Sequence, residues 1–154
     1  MLSLKAERPA LAAVAFVLAS GLAASVTAHD APSPISSEPL ISTQTTIIGQ
    51  PLSYPTETPA EISASIVTIP PGVAGGWHIH PAPFFGYMLE GELTVDYGSQ
   101  GTRVYRQGDS LMEAIDWPHQ GTNTGDGPAR VLVVFMGAEG LSSSVAVDPP
   151  SDGN

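Results

Sequence analysis

The chain has 154 residues and no cysteine, and its 15 Asp and Glu outnumber its 5 Lys and Arg. This length suits a single domain, and the lack of cysteine excludes disulfides, thiolate metal ligands and a cysteine nucleophile. The formal net charge of −10 argues against nucleic acid and anionic membrane surfaces as partners, because like charges repel and no basic stripe is present.

Residues 1–28 have the pattern of a secretory signal peptide. Lys5 and Arg8 provide a positively charged start, residues 10–22 form an apolar stretch, and a small-residue cleavage site ends at Ala28. Polar residues near the end of the apolar stretch make it shorter than the roughly 20 residues that a membrane span needs, so cleavage is favoured over an uncleaved anchor. The leader predicts a periplasmic or secreted protein without membrane association after cleavage.

Composition divides the rest of the chain into an arm, a domain and a tail. Residues 29–44 are rich in proline and serine and predict a flexible arm. Residues 45–140 contain short β-type runs separated by glycine and proline, with no apolar period of helical length. Residues 141–154 predict a C-terminal tail. The expected strands are 45–48, 62–69, 85–97, 103–105, 110–113 and 131–136. Many short strands at this spacing indicate an all-β sandwich or barrel.

Three histidines have the spacing of metal ligands. His78 and His80 are two residues apart in an extended segment, so both side chains point to the same face and can bind one ion. A third nitrogen must come from elsewhere, and His119 is the candidate apart from His29 at the predicted mature N-terminus. The alternative is a barrel that keeps its histidines for packing and has lost its metal, but packing does not require two imidazoles on one strand face.

Polar residues near the histidines have two possible roles each. Glu113 lies on the predicted strand that leads to His119, and is a candidate oxygen ligand if its side chain turns inward or a surface acid if it turns outward. Asn123 is a candidate hydrogen-bond partner of an imidazole or of the loop backbone. Arg103 and Arg106 either steer an anion or pair with surface carboxylates.

Aromatic side chains cluster near the histidines in sequence and predict a partly apolar cavity beside the metal. For each of them, packing in the barrel core is the alternative. The residues predicted to line the cavity are Trp77, Phe84, Tyr87 and Trp117.

Two blocks of the sequence, which together span roughly residues 45–137, resemble the paired motifs of the cupin superfamily. In each block, glycines and histidines follow one another in the family's order. The matching residues are Gly72, His78, His80 and the Leu-Glu-Gly turn at 89–91 in the first block, and Gly108, Asp109, Pro118, His119 and Asn123 in the second. The chain is similar to small, secreted, bacterial single-domain cupins.

The resemblance implies a cupin double-stranded β-helix, a jelly-roll-like barrel whose two motifs bring their histidines to one mouth. The expected cofactor is a divalent metal ion, with iron, manganese, zinc and nickel as candidates. Two departures from the family pattern occur. Phe84 and Phe85 stand where a glutamate ligand usually follows the histidine pair. The site therefore either binds metal through three histidines alone or binds no metal. Residues 114–116 replace the usual Pro-x-Gly before His119.

Two functions stay open. One is a metal-dependent, dioxygenase-like enzyme of the cell envelope that acts on a small organic molecule, as the resemblance to three-histidine cupins permits. The other is a non-catalytic periplasmic protein that binds a small ligand or a metal ion. Because many cupins dimerise through their edge strands, a homodimer is a further expectation.

Overall fold

The computed structural model describes residues 35–151, and every element in it belongs to the unit that begins at Ser37. The predicted signal peptide, His29 and residues 152–154 lie outside the described part, so the predictions made for them stay predictions. Nine strands are present: β1 Ala60–Ile69, β2 His78–Ile79, β3 Phe84–Glu90, β4 Glu92–Asp96, β5 Thr102–Arg106, β6 Ser110–Met112, β7 Gln120–Thr122, β8 Ala129–Ala138 and β9 Val145–Ala146.

The strands form two main antiparallel sheets and one small one. The large sheet has the order β1-β8-β3-β6, the second sheet has the order β5-β4-β7, and β2 pairs with β9. A single 3-10 turn at Gly98–Gln100 is the only helical element of residues 35–151. In the same range, no helix has the length and hydropathy to cross a membrane. The predicted all-β fold is confirmed.

The core lies between the two main sheets. Met88 on β3 and Val131 on β8 pack with Leu93 and Val95 on β4, and all four are buried. The alternation of side chains along each strand explains this selection, because every second residue faces the opposite sheet. Packing one face of each sheet against the other buries the apolar half of each strand.

The register of the large sheet assigns its residues to two sides. Ser65, Val133 and Gly86 occupy one row on the side that faces the second sheet. The outer side carries a row of Ile66, Leu132 and Tyr87, with parallel rows on either side of it. The other outer residues of β1 and β8 are Ala60, Ile62, Ala64, Thr68, Arg130, Val134, Met136 and Ala138.

Two predictions about strands were wrong. Residues 45–48 form no strand, because Thr46 N donates to Gln50 O at 2.9 Å and closes a turn in which Gly49 has a φ of 85°. The predicted strand 85–97 is divided into β3 and β4 by Gly91, whose φ is 77°. A side chain at Gly91 would place its Cβ 2.4 Å from Pro128 O, so this turn requires glycine.

Candidate metal centre

Main-chain pairing brings the two sequence blocks together at the histidines. His78 lies on β2, and His119 immediately precedes β7. His119 N donates to His78 O at 3.0 Å, and His78 N donates to His119 O at 3.1 Å. Asp116 N donates to His80 O at 2.9 Å, which holds the segment before His119 against the first block. Residues 114–116, which replace the expected Pro-x-Gly, end at Asp116, whose φ of 49° is in the left-handed region.

The three imidazoles converge on one point. One ring nitrogen from each of His78, His80 and His119 lies within 4.8 Å of the others, which is within reach of a single ion. The ring centroids are separated by 4.5 to 5.0 Å. His80 and His119 are buried, and His78 is half-buried. The sequence-predicted triplet is therefore a spatial cluster.

Each imidazole is oriented by a backbone carbonyl. The Nδ1 atoms of His78, His80 and His119 lie 2.8, 2.6 and 2.8 Å from the carbonyl oxygens of Gly76, Ser143 and Trp117, respectively. Because a carbonyl oxygen only accepts, each Nδ1 must carry the proton and each Nε2 must present a lone pair. This arrangement is typical of metal-binding histidines, whose second ring nitrogen is fixed by an outer hydrogen bond.

One of these lone pairs has no partner. His119 Nε2 is buried and makes no hydrogen bond within the described residues. An unpaired buried polar atom costs about 1–3 kcal/mol, so its retention calls for a compensating role. Coordination of a metal ion fits this atom, because the Nε2 atoms of His78 and His80 present their lone pairs to the same place.

Burial also keeps the three imidazoles neutral. It lowers the pKa of His80 to about 3, and it lowers the pKa values of His78 and His119 below their ordinary value. A hydrogen bond from each ring to its carbonyl opposes this effect without outweighing it. The neutral imidazole is the form that binds metal.

Glu113 turns inward, which is the first of its two predicted orientations. Its side chain is 7% exposed, and its Oε2 lies 3.9 Å from His119 Nε2. Its Oε1 accepts a hydrogen bond of 3.0 Å from Ala114 N. Burial raises the pKa of Glu113, and a hydrogen bond from Tyr97 opposes that rise. The carboxyl group is thus beside the histidine cluster but outside the group of three.

Two buried tyrosines adjoin Glu113 and were not predicted as part of the site. The hydroxyl groups of Tyr97 and Tyr105 are 3.1 Å apart, and Tyr97 is fully buried. Burial raises the pKa of Tyr105 to about 12 and raises the pKa of Tyr97 as well. The alternation of Leu93, Val95 and Tyr97 was the sequence signal that pointed Tyr97 inward.

Phe84 occupies a position where the resemblance described above implies a glutamate ligand, and it supports His80 instead. The two rings are stacked, with centroids 3.7 Å apart and an interplanar angle of 5°. The stack fixes the plane of the His80 ring, so a residue that cannot bind metal still orients one that can.

A cavity of about 320 Å³ adjoins the histidines, and Phe84 and Glu113 also line it. Apolar side chains form most of the remaining wall. Examples are Val67, Ile69, Leu93, Val95, Leu111 and Val133.

Three of the four aromatic residues predicted for this cavity do not line it. Tyr87 pairs with Leu132 in the sheet register and faces the outer side, because it is an odd number of residues from Phe84. Trp77 directly precedes His78, so alternation turns its side chain to the opposite face. Trp117 packs against the core and donates from Nε1 to Tyr97 O at 2.9 Å. The core alternative was correct for Trp117.

The second predicted role applies to Asn123 and Arg106, and Arg103 takes neither of its two predicted roles. The Asn123 amide donates to Ile69 O at 2.7 Å and to Gly127 O at 2.8 Å, so it serves the loop backbone. Arg106 pairs with Glu92 at 2.9 Å on the surface. The exposed Arg103 donates to a backbone oxygen.

Similarity to known proteins is found with a family model and with solved structures. A family model described as "Cupin domain" matches residues 65–135, whereas no curated protein matches the sequence. Among solved structures, oxalate decarboxylase from Lactobacillus farciminis, in a formate complex, is 30% identical with a TM-score of 0.49, and the match covers 56% of this chain and 26% of that one. DMSP lyase DddQ from Ruegeria pomeroyi DSS-3 is 28% identical with a TM-score of 0.50, and the match covers 58% of this chain and 45% of that one.

A variant of oxalate decarboxylase from Bacillus subtilis is 26% identical with a TM-score of 0.46, and the match covers 56% of this chain and 24% of that one. The chain therefore spans less than half of the length of each of these three proteins.

Proposed function

We propose that this chain, which belongs to the cupin superfamily, binds a divalent metal ion through His78, His80 and His119 and acts on a small organic molecule in the adjoining cavity. The observation that carries the proposal is the convergence of three imidazoles whose Nδ1 atoms are all held by backbone carbonyls. A packing role alone does not account for the unpaired Nε2 of His119.

The residues present fit a divalent ion that accepts nitrogen ligands, and Fe²⁺, Mn²⁺, Zn²⁺ and Ni²⁺ all do so. When bound, such an ion supplies Lewis acidity and, if it is iron or manganese, redox chemistry with O₂. We include Glu113 in the proposed site because its carboxyl Oε2 lies 3.9 Å from His119 Nε2, on the side of the ring that presents the lone pair. The apolar walls of the cavity would strengthen electrostatic interactions in the site, because they lower the local dielectric constant.

Metal content is the first test. The untagged mature protein is compared by elemental analysis with the double variant His78→Ala/His80→Ala and with the control His29→Ala, which alters the remaining histidine of the chain. We expect about one ion per chain in the wild type and in the control, and none in the double variant. Absence of metal from the wild type, or equal metal in all three proteins, would contradict the proposal.

Oxygen uptake separates an enzyme from a binding protein. With iron or manganese bound, an oxygenase consumes O₂ when its substrate is added, and the double variant does not. A protein that binds metal and small molecules stoichiometrically but never consumes O₂ or converts them would instead be the non-catalytic binding protein.

We also propose that the protein acts in the cell envelope, in the periplasm or after secretion, because residues 1–28 have the pattern of a signal peptide. The intact mass of the protein recovered from the native compartment tests this. Loss of residues 1–28 supports the proposal, and a cytoplasmic, full-length product contradicts it.

A second copy of this chain is the proposed partner of the outer face of the large sheet. Ile62 and Ile66 on β1 are 70% and 51% exposed there, and the paired residues of β8 are apolar as well. The charged pair of Arg130 and Glu90, 3.8 Å apart, stands only at one end of the face. On a chain with a net charge of −10, an uncharged apolar face is where two copies can meet without repulsion.

Sedimentation equilibrium tests the dimer. We expect a dimeric wild type, a monomeric Ile62→Asp/Ile66→Asp variant and a dimeric Val104→Asp control, since Val104 is exposed on β5 of the other sheet. A wild type that is monomeric at 50–100 µM, concentrations at which a specific homodimer of ~1 µM Kd would be formed, would overturn this assignment.

A further inference from the structure

We infer that the cavity takes a molecule with one metal-binding polar group and an uncharged apolar body, and that it discriminates against molecules with a second charged group. The inference rests on the proposed function and defines its substrate class. It follows from how the polar and apolar side chains are distributed around the cavity.

Polar side chains of the cavity are concentrated in one place. His78, His80 and His119 form one cluster, and Glu113 is 3.9 Å from His119. Apart from Thr68, the other lining side chains are apolar or are glycine. A ligand that reaches the metal with its polar group must therefore place the rest of its atoms against valine, leucine and isoleucine.

No cation of the described chain is available for a second anionic group. The arginines of residues 35–151 are Arg103, Arg106 and Arg130, and none of them lines the cavity. Arg106 and Arg130 pair with glutamates elsewhere. A carboxylate held away from the metal would be buried without a counter-ion, which is strongly unfavourable.

Both the size and the entrance of the cavity agree with this class. A volume of about 320 Å³ is near the lower end of the range for ligand pockets, so the body is a short chain or a single ring. Val67 and Val73 line the cavity and are also 42% and 44% exposed. Apolar side chains thus lie where the cavity meets solvent, and an entering molecule contacts these two valines first.

The test compares hexanoate with adipate, which have the same number of carbons and differ by one carboxylate. Binding to the Co²⁺-loaded protein is followed by the visible absorption of the metal and by calorimetry. We expect hexanoate to bind at least 10-fold more tightly than adipate. Equal binding, or tighter binding of adipate, would overturn the inference.

A variant at the entrance tests the cause of the preference. Val73→Arg places a cation beside the cavity, and we expect it to improve the adipate-to-hexanoate affinity ratio at least 10-fold. Val104→Arg is the matched control, because Val104 is 43% exposed but does not line the cavity. An unchanged ratio in folded Val73→Arg protein would show that the missing cation is not what excludes the second charge, and the inference would fail.

Failure of the proposed function gives a different result. If the protein binds no Co²⁺ or other divalent ion, the metal proposal fails, and the cavity is then probed in the metal-free protein with hexan-1-ol and hexane-1,6-diol. Tighter binding of the mono-alcohol supports the inference on the cavity by itself, because a second hydroxyl group would be buried without a partner. Equal or tighter binding of the diol overturns it.

Discussion

Replacing His119 with leucine distinguishes a metal ligand from a packing residue, because the two roles predict opposite effects on the metal-free protein. The imidazole is 2% exposed, and its Nε2 makes no hydrogen bond with any part of residues 35–151. Removing an unpaired buried nitrogen relieves about 1–3 kcal/mol. The substitution also removes the hydrogen bond of 2.8 Å between Nδ1 and Trp117 O, whose net worth is about 0.5–1.5 kcal/mol.

The two terms nearly cancel or favour the variant. In EDTA we expect His119→Leu to be as stable as the wild type or up to about 2 kcal/mol more stable, which is a rise in Tm of up to roughly 8 °C for a domain of this size. At a metal concentration of about 100 times Kd, the wild type gains about 2.7 kcal/mol and the variant gains nothing. The wild type therefore has the higher melting temperature when metal is added, whereas in EDTA its melting temperature is equal to or lower than that of the variant.

Asn123→Leu provides the contrast. Asn123 is also fully buried, but its amide makes hydrogen bonds of 2.7, 2.8 and 2.9 Å with Ile69 O, Gly127 O and Gly125 N. Leaving these three backbone groups unpaired should cost about 3 kcal/mol, with or without metal. Thermal and urea unfolding of the three proteins, each in EDTA and in Zn²⁺, measure all of these differences.

One outcome would refute the reasoning about His119. If metal-free His119→Leu melts about as far below the wild type as Asn123→Leu does, the imidazole is a structural residue. The alternative of a barrel that retains its histidines for packing would then be correct.

Two further predictions concern the neighbours of the cluster. Tyr97→Phe removes a buried hydroxyl group 3.1 Å from that of Tyr105 and should lower the free energy of unfolding in urea by about 1–3 kcal/mol. The control Tyr54→Phe, at an exposed site, should change it by less than about 0.5 kcal/mol. Equal effects of the two substitutions would contradict this prediction. The free energy of unfolding of the metal-free protein should fall as the pH decreases from 6.5 to 5. Burial lowers the pKa of His80 to about 3, so in this pH range the unfolded chain binds a proton that the folded chain does not. The expected loss is about 1.4 kcal/mol per pH unit for each such group. The raised pKa of Glu113 acts in the opposite direction, so Glu113→Gln should steepen this dependence, and a stability that rises on acidification would contradict the assignment.

Much of the fold was predictable because its signals are local. Glycine and proline separate the strands, and alternation of apolar residues marks them, so most strands were identified within a few residues of their observed bounds. The segment at residues 45–48 was misleading because its two threonines and two isoleucines favour strands. The turn that they form depends on Gly49 and on a hydrogen bond between Thr46 and Gln50. The pattern of apolar residues does not predict such a turn.

The histidines of the site were predictable, but the cavity was only partly so. The spacing of His78 and His80 determines that both side chains share a face, and the prediction needed only that. Which aromatic residue lines a cavity depends on the exact strand register, and an odd offset moved Tyr87 to the outer side of the sheet. The orientation of Glu113 depends on its contacts with Tyr97 and Ala114. Tyr97 is distant in sequence, and the hydrogen bond from Ala114 N depends on a backbone conformation that the sequence does not specify.

The reciprocal main-chain bonds between His78 and His119 separate the pairing of the two sequence blocks from the identity of their side chains. Because both bonds join backbone atoms, replacing either imidazole leaves them in place. Alanine variants at these two positions therefore test the ligands and not the pairing of the blocks.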